Sequence, residues 1–453
     1  MDLVQALRLT QTLTVAFVGA GGKTTAMFQL ARELPPPVIL TATTHLGAWQ
    51  IPLADMHIIV TKPEDLEQFN PRGVTLVTGE FEGDRTKGLE RDAIFWLHEI
   101  SERDQIPLLI EADGSRQKPL KAPAQHEPVI PEFVEQVVQV AGLSGLGKPL
   151  GEEFVHRPEI FARLSGLQPG EMISIESLVH VLNNPAGGLK HIPAAARRVV
   201  LLNQADTPAL QSQAHAAVKS LLSAYEAVII ASLQSGQIHA VHEPIAGIIL
   251  AAGESRRYGQ PKQLLDWRGE PFVRAVAKTA LESGLSPVIV VTGAHASEVS
   301  SAINDLPVQI IHNPEWQSGQ AFSIRTGLSP HPPLRGALPQ NQRFWGRAGE
   351  GAGGAIFLLA DQPQVTPAIL HALVEEHTAT LASIIAPLVL DQRANPVLFD
   401  CVTFPNLLNL EGDVGGRGIF SKHKVNYLIW HDDALLLDVD TPEHYQRLKD
   451  LLE

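Results

Sequence analysis

Residues 250–262 read Leu-Ala-Ala-Gly-Glu-Ser-Arg-Arg-Tyr-Gly-Gln-Pro-Lys, placing three cationic side chains, Arg256, Arg257 and Lys262, among small residues. An apolar run, Ile245 to Leu250, leads into this stretch, and helix-like sequence follows from Pro271. A strand ending in such a loop turns backbone N–H groups toward an anion, and the cations offset its charge. The chemistry that fits is phosphate handling, with a nucleoside triphosphate cradled for nucleotidyl transfer. A carboxylate, Asp361, follows the apolar run Ile356 to Ala360 without a break. Burying it unpaired would be costly, and a magnesium ion on the triphosphate would supply the partner. Magnesium in phosphate sites takes one or two carboxylates. The segment from Leu435 to Glu443, read as a strand, offers Asp438 and Asp440 on opposite faces, with Asp440 preferred as the ligand.

A second glycine loop lies near the N-terminus. The apolar run Leu13 to Val18 enters Gly19-Ala-Gly21-Gly22-Lys23-Thr24-Thr25 and then helical sequence through Arg32. This is the short form G-x-x-G-K-T of a P-loop, in which amides surround phosphates, Lys23 reaches the outer ones and Thr24 can ligate magnesium. A second apolar run ends in Glu111-Ala-Asp113, and Asp113 is expected in the magnesium shell. A third, from Arg198, ends in Asn203-Gln204-Ala-Asp206, similar to a guanine-reading N-K-x-D motif. ATP or GTP is the expected ligand. The hydroxyls of Thr41, Thr43 and Thr44 either face phosphate or cap a turn. His45 and His126 read as loop histidines.

These elements resemble the YqeC family of accessory proteins for selenium-dependent molybdenum hydroxylases. The resemblance rests on G-A-G-G-K-T-T, T-x-T-T-H, E-A-D-G-S-R, K-A-P-A-x-H-E-P and His156-Arg-Pro-Glu159. It implies a nucleotide-binding role in maturing a molybdenum enzyme. The stretch 250–262 resembles the signature of MobA-like NTP transferases, and Asp361-Gln-Pro, Asn395-Pro-Val-Leu-Phe, Gly412-Asp413-x-Gly-x-Arg417 and Asp438-Val-Asp-Thr-Pro-Glu resemble its cytidylyltransferase (MocA) branch. Asn313-Pro-x-Trp-x-x-Gly319 with Ser323 fits as well. Guanylyl-transferring relatives carry glycine where Ala252 stands and G-D-x-P in place of D-Q-P.

What the second resemblance implies is transfer of CMP from MgCTP to molybdopterin, the organic part of the molybdenum cofactor, with release of pyrophosphate. Leu250, Ala251, Ala252, Gly253, Ser255, Gly259, Gly319 and Ser323 would hold the nucleotide. Arg257, Lys262 and Asp361 would be catalytic, and Asp361 and Asp440 would hold the metal. Asn395, Gly412, Asp413 and Arg417 would face the pterin or its phosphate, or else form a turn that caps a helix. A molybdenum hydroxylase is an implied partner. The alternatives are guanylyl or sugar-phosphate nucleotidyl transfer, and a nucleotide-gated factor that delivers the cofactor.

Alternating apolar runs and helical stretches in both halves predict an α/β protein of two domains. The expectation is a P-loop-like domain over residues 1–240 and a Rossmann-like nucleotidyltransferase domain, its sheet mostly parallel, over 241–453. Ligands of such sheets sit beyond the carboxyl ends of the strands. The segment 334–354 reads as an inserted loop, either disordered or a lid. At 453 residues two or three domains are expected, and 44% apolar residues suffice for their cores. A formal charge of -14 argues against a general nucleic-acid binder. The single cysteine, Cys401, excludes an internal disulfide and a cysteine-based zinc site. No stretch looks like a signal peptide or a membrane span, so a cytoplasmic setting is expected.

Overall fold

The structure is a computed structural model describing residues 1–9, 13–66, 69–255, 258–329 and 351–450. Arg256, Arg257 and residues 334–350 of the inserted loop lie outside the described residues. The chain forms two compact units, Met1–His242 and Glu243–Glu453.

In the N-terminal unit the apolar runs become β1 (Thr14–Gly19), β2 (Val38–Ala42), β3 (Met56–Ile59), β4 (Val74–Thr78), β5 (Leu108–Glu111), β6 (Gln136–Gly142), β7 (Arg197–Asn203), β8 (Ala227–Ser232) and β9 (Gln237–His242). They form one sheet in the order β9-β8-β7-β6-β1-β5-β2-β4-β3, parallel apart from the antiparallel pair β8–β9. Strands β1, β2, β5, β6 and β8 are buried at every residue. Such unbroken apolar runs are what a parallel sheet covered on both faces requires. Ala16 and Val18 pack with Ala93, Ile94 and Leu97 of the helix Arg91–Asp104, whereas Val200 and Leu202 pack with Leu178 and Ala214. The central β1 has Glu111 beside Phe17 and Val140 beside Gly19. Its carboxyl end therefore opens between β5 and β6, where the loop enters helix α1 (Lys23–Glu33).

The C-terminal unit contains β10 (Ile245–Ala251), β11 (Val288–Thr292), β12 (Gln309–His312), β13 (Gly354–Leu359), β14 (Ile384–Val389), β15 (Gln392–Arg393), β16 (Val397–Asp400) and β17 (Val425–Ile429). The order is β12-β11-β10-β13-β16-β14-β15, with β17 paired to β14. The first four strands are mutually parallel, and β16 runs antiparallel to β13 and β14. Side chains alternate across the sheet as strand geometry demands. Ile249, Val290 and Leu358 meet helices α2 (Phe272–Glu282) and α4 (Pro367–Thr380), while Ile248, Val291 and Phe357 meet α3 (Gln320–Leu328). Parallel pairing of β10 with β13, Leu250 opposite Leu359, brings the 252–255 loop and Asp361 to one edge.

The expected strand over 435–440 does not form. Residues Asp433–Leu436 make a 3-10 turn, with Asp432 Oδ1 accepting from Ala434 N at 3.0 Å and Leu435 buried. The aspartate cap supplies a local alternative to extended chain, and β14 is already paired with β15, β16 and β17. Among the described residues, no helix is long and apolar enough to cross a membrane.

Candidate functional site

The C-terminal loop is fixed by its own side chains. Ser255 has a positive φ of 57°, and its Oγ accepts a hydrogen bond from Lys262 N at 3.1 Å. Gln263, buried and not singled out from sequence, donates from Nε2 to Gly253 O at 2.8 Å and to Ala251 O at 3.4 Å. The loop is thereby folded back so that Lys262 enters the strand edge. Its Nζ donates to Asp440 Oδ1 at 2.6 Å and lies 3.8 Å from Asp361 Oδ2. The neighbouring carboxylate, Asp438, instead accepts from Gln362 Nε2 at 2.8 Å. The two acids do diverge, through a turn rather than a pleat.

Two carboxylates thus meet one lysine, and Asp438 adds a third negative charge that acts on Asp361. About a third of the Asp361 side chain stays exposed (34%). Desolvation nevertheless pushes its pKa up, Lys262 opposes the rise, and Asp438 and Asp440 add to it. A divalent cation suits this donor set, because it would relieve the anionic excess without a further lysine. Asp361 does not cap α4, whose N-cap position is Thr366.

Beside this clasp lies a cleft of about 660 Å³. Leu250, Leu359 and Phe420 contribute apolar surface, and Gln362 and Asp438 join it to the clasp. Asn395 and Arg417 line it, as does Arg393, which the sequence reading missed and which sits 5.0 Å above the Phe420 ring. The other two expected substrate residues go elsewhere. Asp413 Oδ1 accepts from Gln320 N at 3.3 Å and Gly412 O from Ala321 N at 3.2 Å, so this turn caps α3. Gly319 has φ +113°, and a Cβ there would collide with the Gly412 backbone. Ser323 is buried, its Oγ accepting from Asn313 Nδ2 at 3.1 Å.

In the N-terminal unit Gly21 has φ +82°, and a Cβ would strike the Gly142 backbone. Lys23 does not project into open space. Its Nζ donates to Gly19 O at 2.7 Å and lies 3.1 Å from Asp113 Oδ1 and 3.6 Å from Glu111 Oε1. Asp113 also accepts from Gly19 N through both oxygens, at 3.1 and 3.0 Å. Lys121 Nζ then bridges Asp113 at 2.8 Å and Glu127 at 2.9 Å, and Arg157 grips both Glu127 oxygens at 2.7 and 2.8 Å. Three cations and three carboxylates form one largely buried chain. Thr24 Oγ1 donates to Glu111 Oε2 at 3.0 Å and accepts from Gln50 Nε2 at 3.2 Å.

Asn203 braces the loop: its Nδ2 donates to Gly21 O at 2.8 Å and its Oδ1 accepts from Leu233 N at 3.0 Å. Asp206 and Thr25 are exposed and outside this network. Lys121, Glu127 and Arg157 were visible only as members of motifs. Nothing in their spacing said that they would meet Asp113.

The network sets an acid sensitivity. Burial opposes ionisation of Glu127, yet Arg157 and Lys121 hold it at about 2, below the ordinary 4.5. Burial, followed by Arg157 and Lys121, lowers His156 to about 4 from 6.5. In both cases the unfolded chain binds more protons through the acid range, so stability rises with pH. Melting of the full chain should show stability falling from about pH 6.5 to 4 as unfolded histidine is protonated. A further loss should occur from about 4.5 to 2 as the Glu127 contribution disappears. Glu127→Gln should flatten the lower window; an unchanged slope there would rule out this assignment.

Comparisons with known proteins divide the chain in the same way. Residues 15–159 match the family model described as YqeC protein, and residues 247–427 the one described as MobA-like NTP transferase domain. The "Uncharacterized protein YqeC" of Escherichia coli (strain K12) is 34% identical over 197 residues, covering 42% of this chain and 75% of that protein. "Nicotine blue oxidoreductase" of Paenarthrobacter nicotinovorans is 30% identical over 215 residues, 45% of this chain and 96% of that protein. "Purine catabolism protein PucB" of Bacillus subtilis (strain 168) is 31% identical over 215 residues, again 45% and 96%.

Proposed function

Since this chain belongs to the YqeC family through its N-terminal unit and to the MobA-like NTP transferase family through its C-terminal unit, we propose that it is a molybdenum cofactor cytidylyltransferase fused to a nucleotide-binding accessory domain. The C-terminal unit is a MobA-like nucleotidyltransferase domain. Nucleotidyl transfer to an anionic acceptor is supported above all by the clasp of Lys262 between Asp440 and Asp361 beside an arginine-bearing cleft, and CMP as the group transferred rests on Ala252 and Asp361-Gln-Pro.

In the proposed reaction an oxygen of the terminal phosphate of molybdopterin attacks the α-phosphorus of CTP. The new P–O bond forms as the bond from the α-phosphorus to the bridging oxygen breaks, and pyrophosphate leaves with that electron pair. Magnesium held by Asp361 and Asp440 would neutralise phosphate charge. The loop amides at 252–253 position the triphosphate. Lys262, held between these acids, would offset charge developing on the α-phosphate and the leaving group. Arg393 and Arg417 suit an anionic acceptor, and the apolar wall with Phe420 suits the flat face of a pterin. In the N-terminal unit the Gly19–Thr25 loop is read as a site for ATP or GTP serving maturation of a molybdenum hydroxylase.

Pyrophosphate release with CTP and with GTP, each with molybdopterin present, tests the base assignment. CTP should be preferred, and preference for GTP would overturn it. Lys262→Ala should slow transfer by about 10²–10³-fold, the scale for one preorganised electrostatic stabiliser. Single-turnover rates at saturating nucleotide check this, and a change confined to KM would contradict it.

A further inference from the structure

The sequence pattern assigns the N-terminal metal-side acid to Asp113, and the arrangement of partners argues for a different one. Asp113 is saturated by Gly19 N, Lys23 and Lys121. Glu111, two residues earlier, shares an oxygen with the Thr24 hydroxyl. Thr24 in turn is met by Gln50, which is 7% exposed and whose Oε1 has no hydrogen-bond partner among the described residues. Thr43 Oγ1 and Thr44 Oγ1 are buried and likewise unpartnered among the described residues. These three orphan oxygens come from one short segment, 43–50. It leaves the carboxyl end of β2, is tied to β5 through Thr43 N and Glu111 O at 3.0 Å, and ends against Thr24. A buried polar oxygen without a partner costs about 1–3 kcal/mol, and three of them on a segment hydrogen-bonded both to the Glu111 backbone and to Thr24 call for a hard cation or its bound water.

Charge supports the same conclusion. Lys23, Lys121 and Arg157 are already matched by Glu111, Asp113 and Glu127. The network has no surplus positive charge to offer a polyphosphate. We propose that the N-terminal unit binds a divalent cation through the Glu111 carboxylate and the Thr24 hydroxyl, with Gln50, Thr43 and Thr44 holding its water shell, so that the cation carries the phosphates of a nucleoside triphosphate. This rests on the nucleotide reading of the Gly19–Thr25 loop. Among the described residues no group of three or more His, Cys, Asp or Glu could hold a metal. Magnesium keeps several waters and takes only one or two carboxylates, so one carboxylate and one hydroxyl suffice as its direct protein ligands.

The test uses the full chain carrying Asp361→Asn, which weakens the metal pair of the C-terminal unit. Mn2+ alone is titrated and its free concentration read by electron paramagnetic resonance. The parent should retain one Mn2+ site, and adding Glu111→Gln should weaken it at least about 10-fold. Gln50→Met, outside the charged network, should weaken it by about 10-fold while leaving the melting temperature unchanged. Unchanged Mn2+ affinity in Glu111→Gln, or no retained site in the parent, overturns the proposal. Fluorescent ATP and GTP analogues, titrated with saturating Mn2+ present, test the nucleotide reading apart from the cation. Mn2+ loss in Glu111→Gln without any analogue bound supports the cation and removes the nucleotide. An analogue that binds while Mn2+ affinity is unaffected by Glu111→Gln keeps the nucleotide and overturns the cation.

Discussion

Asp361→Asn should lower nucleotidyl transfer by about 10³-fold or more, at or beyond the upper end of the scale for one preorganised electrostatic group. The carboxylate stands just beyond β13, opposite Lys262, where burial and the acids Asp438 and Asp440 push its pKa up. Lys262, 3.8 Å away, offsets the carboxylate's negative charge there. Substituting the amide removes the charge at nearly constant volume, and the partly exposed position at the strand edge leaves the core of β10, β11 and β13 intact. The expected signature is a fall in kcat at saturating nucleotide and divalent metal, with the melting temperature within a few degrees of the parent. Wild-type turnover in this variant would mean that the metal is held elsewhere. Loss of the fold would mean that Asp361 is structural.

Lys121→Met should destabilise the N-terminal unit by about 3–5 kcal/mol, the cost of removing one partner from a buried ion pair. Lys121 donates to Asp113, Glu127 and the Gly114 carbonyl, all within 2.9 Å, and its side chain is 2% exposed. Without it two buried carboxylates face each other across a gap that methionine fills but does not neutralise. At about 2–4 °C per kcal/mol for a unit of this size, the transition should fall by about 6–20 °C. Calorimetry of the full chain would read this as a shift in one transition while that of the C-terminal unit stays in place. A shift of less than about 2 °C would show that the network contributes specificity rather than stability.

Both predictions concern residues whose presence was legible in the sequence and whose partners were not. Apolar runs ending in glycine loops announced β1 and β10, because a strand buried on both faces leaves an unbroken hydrophobic signature. Asp361 and Lys262 followed from that, since functional groups of such sheets collect at the carboxyl ends. The segment 435–440 was misread because its apolar pattern is equally compatible with a strand and with a short turn under an aspartate cap. Gly412-Asp413 stayed open between the acceptor and a helix cap, because a glycine-aspartate turn looks alike whether it faces a ligand or the first turn of α3. Arg393 and Gln263 carried no signal, being ordinary polar residues until the sheet order places one on the cleft and the other under the loop.

By itself the sequence determined the α/β class, the two glycine loops after buried strands, the acids after the apolar runs and the two family resemblances. These depend on local composition and short spacings. Only the tertiary structure decided which charges meet: Lys262 with Asp440 across 178 residues, and Lys23 with Asp113. It also decided that Glu111 rather than Asp113 stands against Thr24. Coulomb energy and desolvation depend on distances through space, and those were fixed by strand order and register rather than by position along the chain.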